Sequence, residues 1–171
     1  MEDAVSDPRR EKLVGAWLTL PTSNDDNYDL LLDRHRVHLR WLIDQGFKEG
    51  NAVLMLSGGN GEGTFLEESE WRALADVLAE AAVGKVPTAL GVYEFSAHAA
   101  ARKAKWAADL GIDFIQLAPP HYMSPTDDDV FGYYDYVNNA SDVGIVALQP
   151  PVVHTRVVRV HTASVRTVRD T

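Results

Sequence analysis

The chain has 171 residues, a formal net charge of −9 and no cysteine. This length is sufficient for one domain with a buried core, and the lack of cysteine excludes disulfides, thiolate metal sites and a cysteine nucleophile. The acidic net charge argues against a nucleic-acid partner. No apolar run approaches the roughly 20 residues that span a bilayer. The charged residues 1–11 lack an apolar signal segment, so we expect a cytoplasmic globular protein.

The chain alternates apolar runs of strand length with amphipathic helical segments. Four strand–helix units and a last strand are predicted, with strands at 13–20, 52–56, 88–92, 114–117 and 144–148, and helices at 28–45, 67–82, 97–110 and 127–139. Continuous apolar runs such as 52–56 are typical of parallel strands covered on both faces. Ser96 and Thr126 are suited to cap the third and fourth helices. The pattern predicts a parallel α/β sheet with right-handed crossovers.

A glycine-rich loop at 57–63, Ser-Gly-Gly-Asn-Gly-Glu-Gly, follows the second predicted strand. Functional groups of parallel α/β proteins lie past the C-terminal ends of the strands. Glycines there let backbone N–H groups approach a carboxylate or phosphate closely. The spacing of Gly59, Gly61 and Gly63 is neither that of a P-loop nor that of a dinucleotide-binding fingerprint. The loop is therefore a candidate anion site, with a ligand-free turn as the alternative.

A second candidate loop follows the fourth strand at 119–122, Pro-Pro-His-Tyr. The Tyr122 hydroxyl in such a place can transfer a proton, and the alternative is a packing aromatic on a rigid turn. The three Asp at 127–129 fit the favourable N-terminal end of a helix better than a cation site. The six histidines do not have metal-ligand spacing, and we expect neither a metal nor a cofactor.

Taken together, these loops resemble the dihydrodipicolinate synthase / N-acetylneuraminate lyase family of class I aldolases and lyases. Residues 58–62 correspond to the family's Gly-Thr-Thr-Gly-Glu loop, and 119–122 to its Pro-Tyr-Tyr loop. The resemblance implies part of a (β/α)8 (TIM) barrel, about strands one to five, over residues 12–151. A flexible N-terminus at 1–11 would precede this domain, and a basic tail at 152–171, disordered or aberrant, would follow it.

The resemblance also implies a chemistry. Family members join a 2-oxo acid such as pyruvate to a strand-six lysine as a Schiff base, hold its carboxylate with the glycine-rich loop and move protons with tyrosines. On this basis Gly59 and Asn60 are substrate-binding residues and Tyr122 is catalytic. Gly59 and Asn60 replace two threonines, so the relay hydroxyl is absent, and Leu148 replaces the tyrosine of strand five. A Gly-Gly-x-Gly-Glu loop also resembles the family's 5-dehydro-4-deoxyglucarate dehydratase branch.

None of the lysines is predicted at the C-terminal end of a strand, the position of the Schiff-base lysine. The sequence has five, Lys12, Lys48, Lys85, Lys103 and Lys105. We therefore expect the chain to lack that lysine and to be inactive alone. Residues 152–171 hold four Arg and one Asp, a local charge of +3, so residues 1–151 carry −12. A shifted reading frame, a gene remnant or a natural basic extension would each explain this change in composition.

Three functions follow from these patterns. The first is a family lyase acting on a 2-oxo acid. The second is a non-catalytic half-barrel that self-associates or binds an intact relative, because the sheet edges of an open barrel piece invite pairing. The third is a small-anion-binding domain that uses the glycine-rich loop.

Overall fold

The computed structural model describes residues 8–120 and 124–148, together with the backbone of 158–161 and 164–167. His121 and Tyr122 lie outside the described residues. Five strands form one parallel sheet in the order β1-β2-β3-β4-β5. The strands are β1 (Ala16–Thr19), β2 (Ala52–Leu56), β3 (Thr88–Val92), β4 (Phe114–Leu117) and β5 (Gly144–Ala147), and the helices are α1 (Leu32–Asp44), α2 (Glu68–Ala82), α3 (Ala97–Asp109) and α4 (Asp127–Asn138).

This alternation of parallel strands and helices confirms the predicted fold class, a partial (β/α)8 barrel. The predicted caps are also in place. The Ser96 hydroxyl accepts the Ala99 N–H at the start of α3. Thr126 and Asp129 form a reciprocal capping box on α4, which satisfies backbone N–H groups that have no partner inside the helix.

Helix α1 begins at Leu32, four residues later than the predicted start at 28. The Asp25 carboxylate accepts the backbone N–H groups of Asn27 at 2.8 Å and Asp29 at 2.9 Å. This Asx-type turn gives the backbone an alternative to helical hydrogen bonds. Tyr28, which the periodicity placed inside the helix, instead adopts a left-handed φ of 69°.

The two faces of the sheet bury different sets of side chains. The outer face packs on the helices through Leu54, Leu56, Leu90, Ile115 and Leu117. The inner face carries a smaller cluster of Val53, Met55, Ala89 and Phe114, with Trp17 and Val146 against it. Trp17 on β1 and Phe114 on β4 have ring centroids 6.4 Å apart. Contact between strands three places apart requires strong curvature, as in a barrel wall.

At the N-terminal ends of the strands, Asp113 joins three segments. Its Oδ2 accepts the Thr88 N–H at 2.9 Å and the Thr88 hydroxyl at 3.0 Å. Its Oδ1 lies 2.5 Å from the Nζ of Lys12, in the 3-10 helix Pro8–Lys12 that precedes β1. One carboxylate therefore connects β3, β4 and the segment leading into β1.

Beyond β5 the backbone forms an antiparallel pair of strands, β6 (Val158–His161) and β7 (Ser164–Thr167). The domain boundaries at 12 and 151 and the nature of the tail stay predictions. Among the helices of the described residues, none is both long enough and apolar enough to cross a membrane.

We predict that Asp113→Ala lowers the free energy of unfolding by about 2–3 kcal/mol, because the fully buried Thr88 loses its hydrogen-bond acceptor. Lys12→Met is the matched control. It removes only the ion pair of a part-exposed lysine and is expected to cost less than about 1 kcal/mol. Urea titration of both variants measures the difference. Equal losses of unfolding free energy in the two variants would show that the Lys12–Asp113 ion pair, rather than the hydrogen bonds to Thr88, provides most of the stabilisation.

Candidate functional site

The glycine-rich loop lies at the C-terminal end of β2, as predicted. It starts at the buried Ser57, whose φ of 50° turns the chain sharply out of the strand. The Ser57 hydroxyl oxygen accepts the Gly91 N–H at 3.1 Å and donates to the Gly91 carbonyl oxygen at 3.2 Å. The Trp71 indole N–H also donates to that carbonyl oxygen, at 2.8 Å. The start of the loop is thereby fixed to the neighbouring strand β3.

Close backbone approaches fix the rest of the loop. A Cβ atom on Gly63 would lie 1.8 Å from the Ser57 carbonyl oxygen, and one on Gly61 would lie 2.5 Å from that of Leu20. Only glycine permits such approaches. The Thr22 hydroxyl also donates to the Gly61 carbonyl oxygen. The loop is held from both sides, by β1 and by β3.

The sequence-predicted residues Gly59 and Asn60 occupy the exposed part of this loop, in the short 3-10 helix Gly59–Gly61. The N–H groups of Gly61 and Gly63 both donate to the Gly58 carbonyl oxygen, at 2.9 Å and 3.0 Å. The following residue, Glu62, has a left-handed φ of 58°. The Glu62 N–H donates to the Gly59 carbonyl oxygen at 3.2 Å, so the N–H groups of this turn are used inside the loop. Gly59 and Asn60 are left as the exposed residues that a ligand could meet.

Tyr93 and Gln116 join this loop, and neither was singled out from the sequence. The Tyr93 hydroxyl donates to Gln116 Oε1 at 3.0 Å. Burial raises the pKa of Tyr93, and a weaker hydrogen bond from the Gly59 backbone N–H lowers it. The phenol is therefore neutral at physiological pH and available as a hydrogen-bond donor. A Cβ on Gly59 would lie 3.5 Å from the Tyr93 hydroxyl, in ordinary contact.

Strand alternation is the signal that could have found this pair. Side chains two residues apart share one face of a strand. Phe114 faces the inner cluster, so Gln116 faces the same side. Ala89 also belongs to that cluster, and the alternation continues through Gly91 to Tyr93. Gly91 is opposite Gln116 in the parallel register of β3 and β4. The two polar side chains therefore meet at the top of the inner face.

At the end of β5, Leu148 presents an apolar side chain with 38% of its surface exposed. The Tyr134 hydroxyl lies between the carbonyl oxygens of Leu117 at 2.9 Å and Leu148 at 3.1 Å, and so links the ends of β4 and β5. Burial, as the largest cause, raises the pKa of Tyr134 well above its usual range. Tyr134 is thus a structural link, and its hydroxyl is occupied by the backbone.

All five lysines lie in the described part of the chain, and none lies on a strand. Lys103 is buried on α3, with its Nζ 2.5 Å from Glu94 Oε1 and 5.0 Å from the centroid of the Trp71 ring. Lys12 is paired with Asp113. Lys85 donates to the Ala81 carbonyl oxygen, while the side chains of Lys48 and Lys105 are exposed.

Within the described residues, the histidines and acids form no group of three or more that could hold a metal ion. The buried His35 accepts the Ser23 N–H at 3.1 Å, and burial, as the largest cause, lowers its pKa. Among the three Asp at 127–129, Asp129 serves in the α4 cap, and its pKa is lowered chiefly by the Thr126 hydroxyl. These contacts are structural.

We predict that Gly63→Ala destabilises the chain by about 2–3 kcal/mol, because the new methyl group would overlap the Ser57 carbonyl oxygen. Gly59→Ala is the matched control, since its methyl group meets only the Tyr93 hydroxyl at contact distance. Urea denaturation of the two variants gives the comparison. A Gly63→Ala variant as stable as Gly59→Ala would show that the loop is not fixed by this close approach.

The sequence of this chain is similar to that of a known protein family. Residues 23–163 match the family model of the dihydrodipicolinate synthetase family. The 4-hydroxy-tetrahydrodipicolinate synthase of Thermotoga maritima is 28% identical over 138 residues, which cover 81% of this chain and 45% of that protein. The chain thus spans about half the length of the curated relatives it matches.

Solved structures agree on the fold. N-acetylneuraminate lyase from Mycoplasma synoviae superposes with a TM-score of 0.74 at 20% identity, over 83% of this chain and 48% of that one. A prophage protein of the dihydrodipicolinic acid synthase family from E. coli K12, in complex with pyruvate, gives a TM-score of 0.72 at 19% identity, over 79% of this chain and 44% of that one. With the family match over most of its length, this chain belongs to the dihydrodipicolinate synthetase family.

Proposed function

We propose that this chain forms the carboxylate-binding half of a 2-oxo-acid lyase site, with pyruvate as the simplest ligand. The carboxylate would lie against the exposed Gly59–Asn60 part of the glycine-rich loop. The observation that carries the proposal is the exposed Gly59–Asn60 turn past the end of β2, on a loop that Ser57 and Gly63 fix in place. Pyruvate is also the ligand in the E. coli family structure.

The chemistry of the loop suits a carboxylate. Backbone N–H groups are fixed dipoles that stabilise a negative charge without reorganisation. The Gly61 and Gly63 N–H groups are used inside the loop. In the proposal, Gly59 and Asn60 face the ligand. The Asn60 side chain adds an amide donor, which replaces a threonine hydroxyl of the family motif.

The Schiff-base lysine of the family chemistry is, in the proposal, none of the five lysines of this sequence. An imine-forming lysine must be deprotonated and must reach the ligand carbonyl. Lys103 and Lys12 are held in ion pairs with Glu94 and Asp113. The other three belong to helices or to loops that precede strands. We therefore propose that this chain binds the ligand but does not form the imine by itself.

The proposed binding can be tested by following the backbone amides of ¹⁵N-labelled chain during a titration with pyruvate. We expect saturable shifts at Gly59, Asn60 and their neighbours. Asn60→Ala is expected to weaken binding about threefold to tenfold, the effect of one lost hydrogen bond. Asn51→Ala, on the loop before β2 at the opposite end of the strand, is the matched control with unchanged affinity.

Titrations with phosphate and acetate identify the ligand class. Weaker binding of both than of pyruvate supports a 2-oxo-acid site. Equal binding of phosphate would replace the proposal with a general anion site, and no shifts with any of the three would refute both.

The proposed absence of an imine-forming lysine is tested with pyruvate and borohydride, followed by peptide mass spectrometry. We expect no selective adduct at any of the five lysines. Propionate, which has no ketone, is the control for non-specific labelling. A pyruvate-dependent adduct at one lysine would refute this part of the proposal and would identify the nucleophile.

A further inference from the structure

We propose that Tyr93 donates a hydrogen bond to the ligand carboxylate and so completes the site, and that Gln116 is a positioning residue that orients the Tyr93 hydroxyl. This inference rests on the proposed function. It assigns to the site a hydroxyl donor, since Gly59 and Asn60 of the glycine-rich loop carry no hydroxyl group.

The position of the hydroxyl supports the assignment. It lies at contact distance from the place of a Gly59 side chain, which is the space that a larger residue of the loop would fill. The Gly59 backbone N–H is also near enough to act on the hydroxyl, because it lowers the pKa of Tyr93 against the larger effect of burial. A carboxylate that binds the exposed face of Gly59 therefore comes next to the Tyr93 hydroxyl.

A count of donors and acceptors shows how the hydroxyl can serve a ligand. A tyrosine hydroxyl has one donor hydrogen and two acceptor lone pairs. Without ligand, the Tyr93 hydroxyl donates to Gln116 Oε1. If the Gln116 amide turns over, its Nε2 group donates to Tyr93, and the hydroxyl hydrogen is free for a carboxylate oxygen. The Tyr93 hydroxyl thereby exchanges the Gln116 oxygen for the ligand as its acceptor and gains a donor from Gln116.

Gln116 is suited to this role because its side chain carries both an acceptor and a donor at the same reach. It is half-buried on the inner face of β4, opposite Gly91 of β3. Because Gly91 has no side chain, Tyr93 and Gln116 provide the polar groups at this end of β3 and β4. Gln116→Leu would keep the size of the side chain and remove both the hydrogen-bond acceptor and the donor.

The test is the pyruvate titration repeated with Tyr93→Phe, which removes only the hydroxyl. We expect the Kd for pyruvate to rise at least tenfold, the loss typical of a hydrogen bond to a charged group. Tyr136→Phe is the matched control, because Tyr136 is 45% exposed on α4 and its hydroxyl contacts His98. Its affinity should equal that of the unmodified chain.

Gln116→Leu tests the positioning role through a double-mutant cycle. If Gln116 acts through Tyr93, its replacement weakens binding in the unmodified chain and has no further effect in the Tyr93→Phe background. Additive effects would overturn the positioning role. Should Tyr93→Phe fail to fold, Gln116→Leu alone decides, and an unchanged affinity would overturn the inference.

The outcomes separate this inference from the proposed function. If the unmodified chain binds pyruvate and Tyr93→Phe binds it within twofold, Tyr93 is not the donor, while the loop site stands. If the unmodified chain does not bind pyruvate, the proposed function fails and the inference fails with it.

Discussion

The hydrogen-bonded contact between Ser57 and Gly91 is the constraint on which the rest of the site depends. Two hydrogen bonds join the Ser57 side chain to the backbone of β3, and a Cβ on Gly91 would lie 2.0 Å from the Ser57 carbonyl oxygen. The strand-to-loop turn can pack this closely only against a glycine. Because Ser57 is fixed, the loop leaves β2 in one direction, and Gly59 comes to lie beside Tyr93.

The curvature of the sheet brings together groups that are far apart in sequence. Outer side chains pack under the helices, while the inner face is covered by its own small cluster, to which Trp17 and Phe114 contribute large rings. The contact of these rings between β1 and β4 stabilises the curvature of the sheet. At the N-terminal ends of the strands, Asp113 joins β3 to β4. At the C-terminal ends of β2, β3 and β4, Tyr93 therefore lies between Gln116 of β4 and Gly59 of the glycine-rich loop.

Local sequence signals predicted most of this fold, because apolar runs, caps and glycines act over a few residues. The strand 52–56 and the Ser96 cap are examples. The start of α1 was predicted wrongly because the Asp25 turn competes with the helix for the same backbone groups. Strand alternation could have placed Tyr93 and Gln116 on the inner face, but their contact across 23 residues also depends on the register of β3 and β4, which the sequence does not give. The predicted role of Tyr122 stays a prediction.

The polar side chains of this partial barrel are unevenly distributed over the ends of its strands. Tyr93, Gln116 and the Gly59–Asn60 loop lie at the C-terminal ends of β2, β3 and β4, whereas the apolar Leu148 follows β5. A carboxylate needs only fixed donors, and in the proposed site these come from the ends of three adjacent strands. Bond making needs a nucleophile with a tuned pKa, and no strand here carries a lysine. In the proposed function, anchoring of the carboxylate is therefore local to the ends of β2–β4, whereas the chemical step needs a lysine in a position that none of the five lysines occupies.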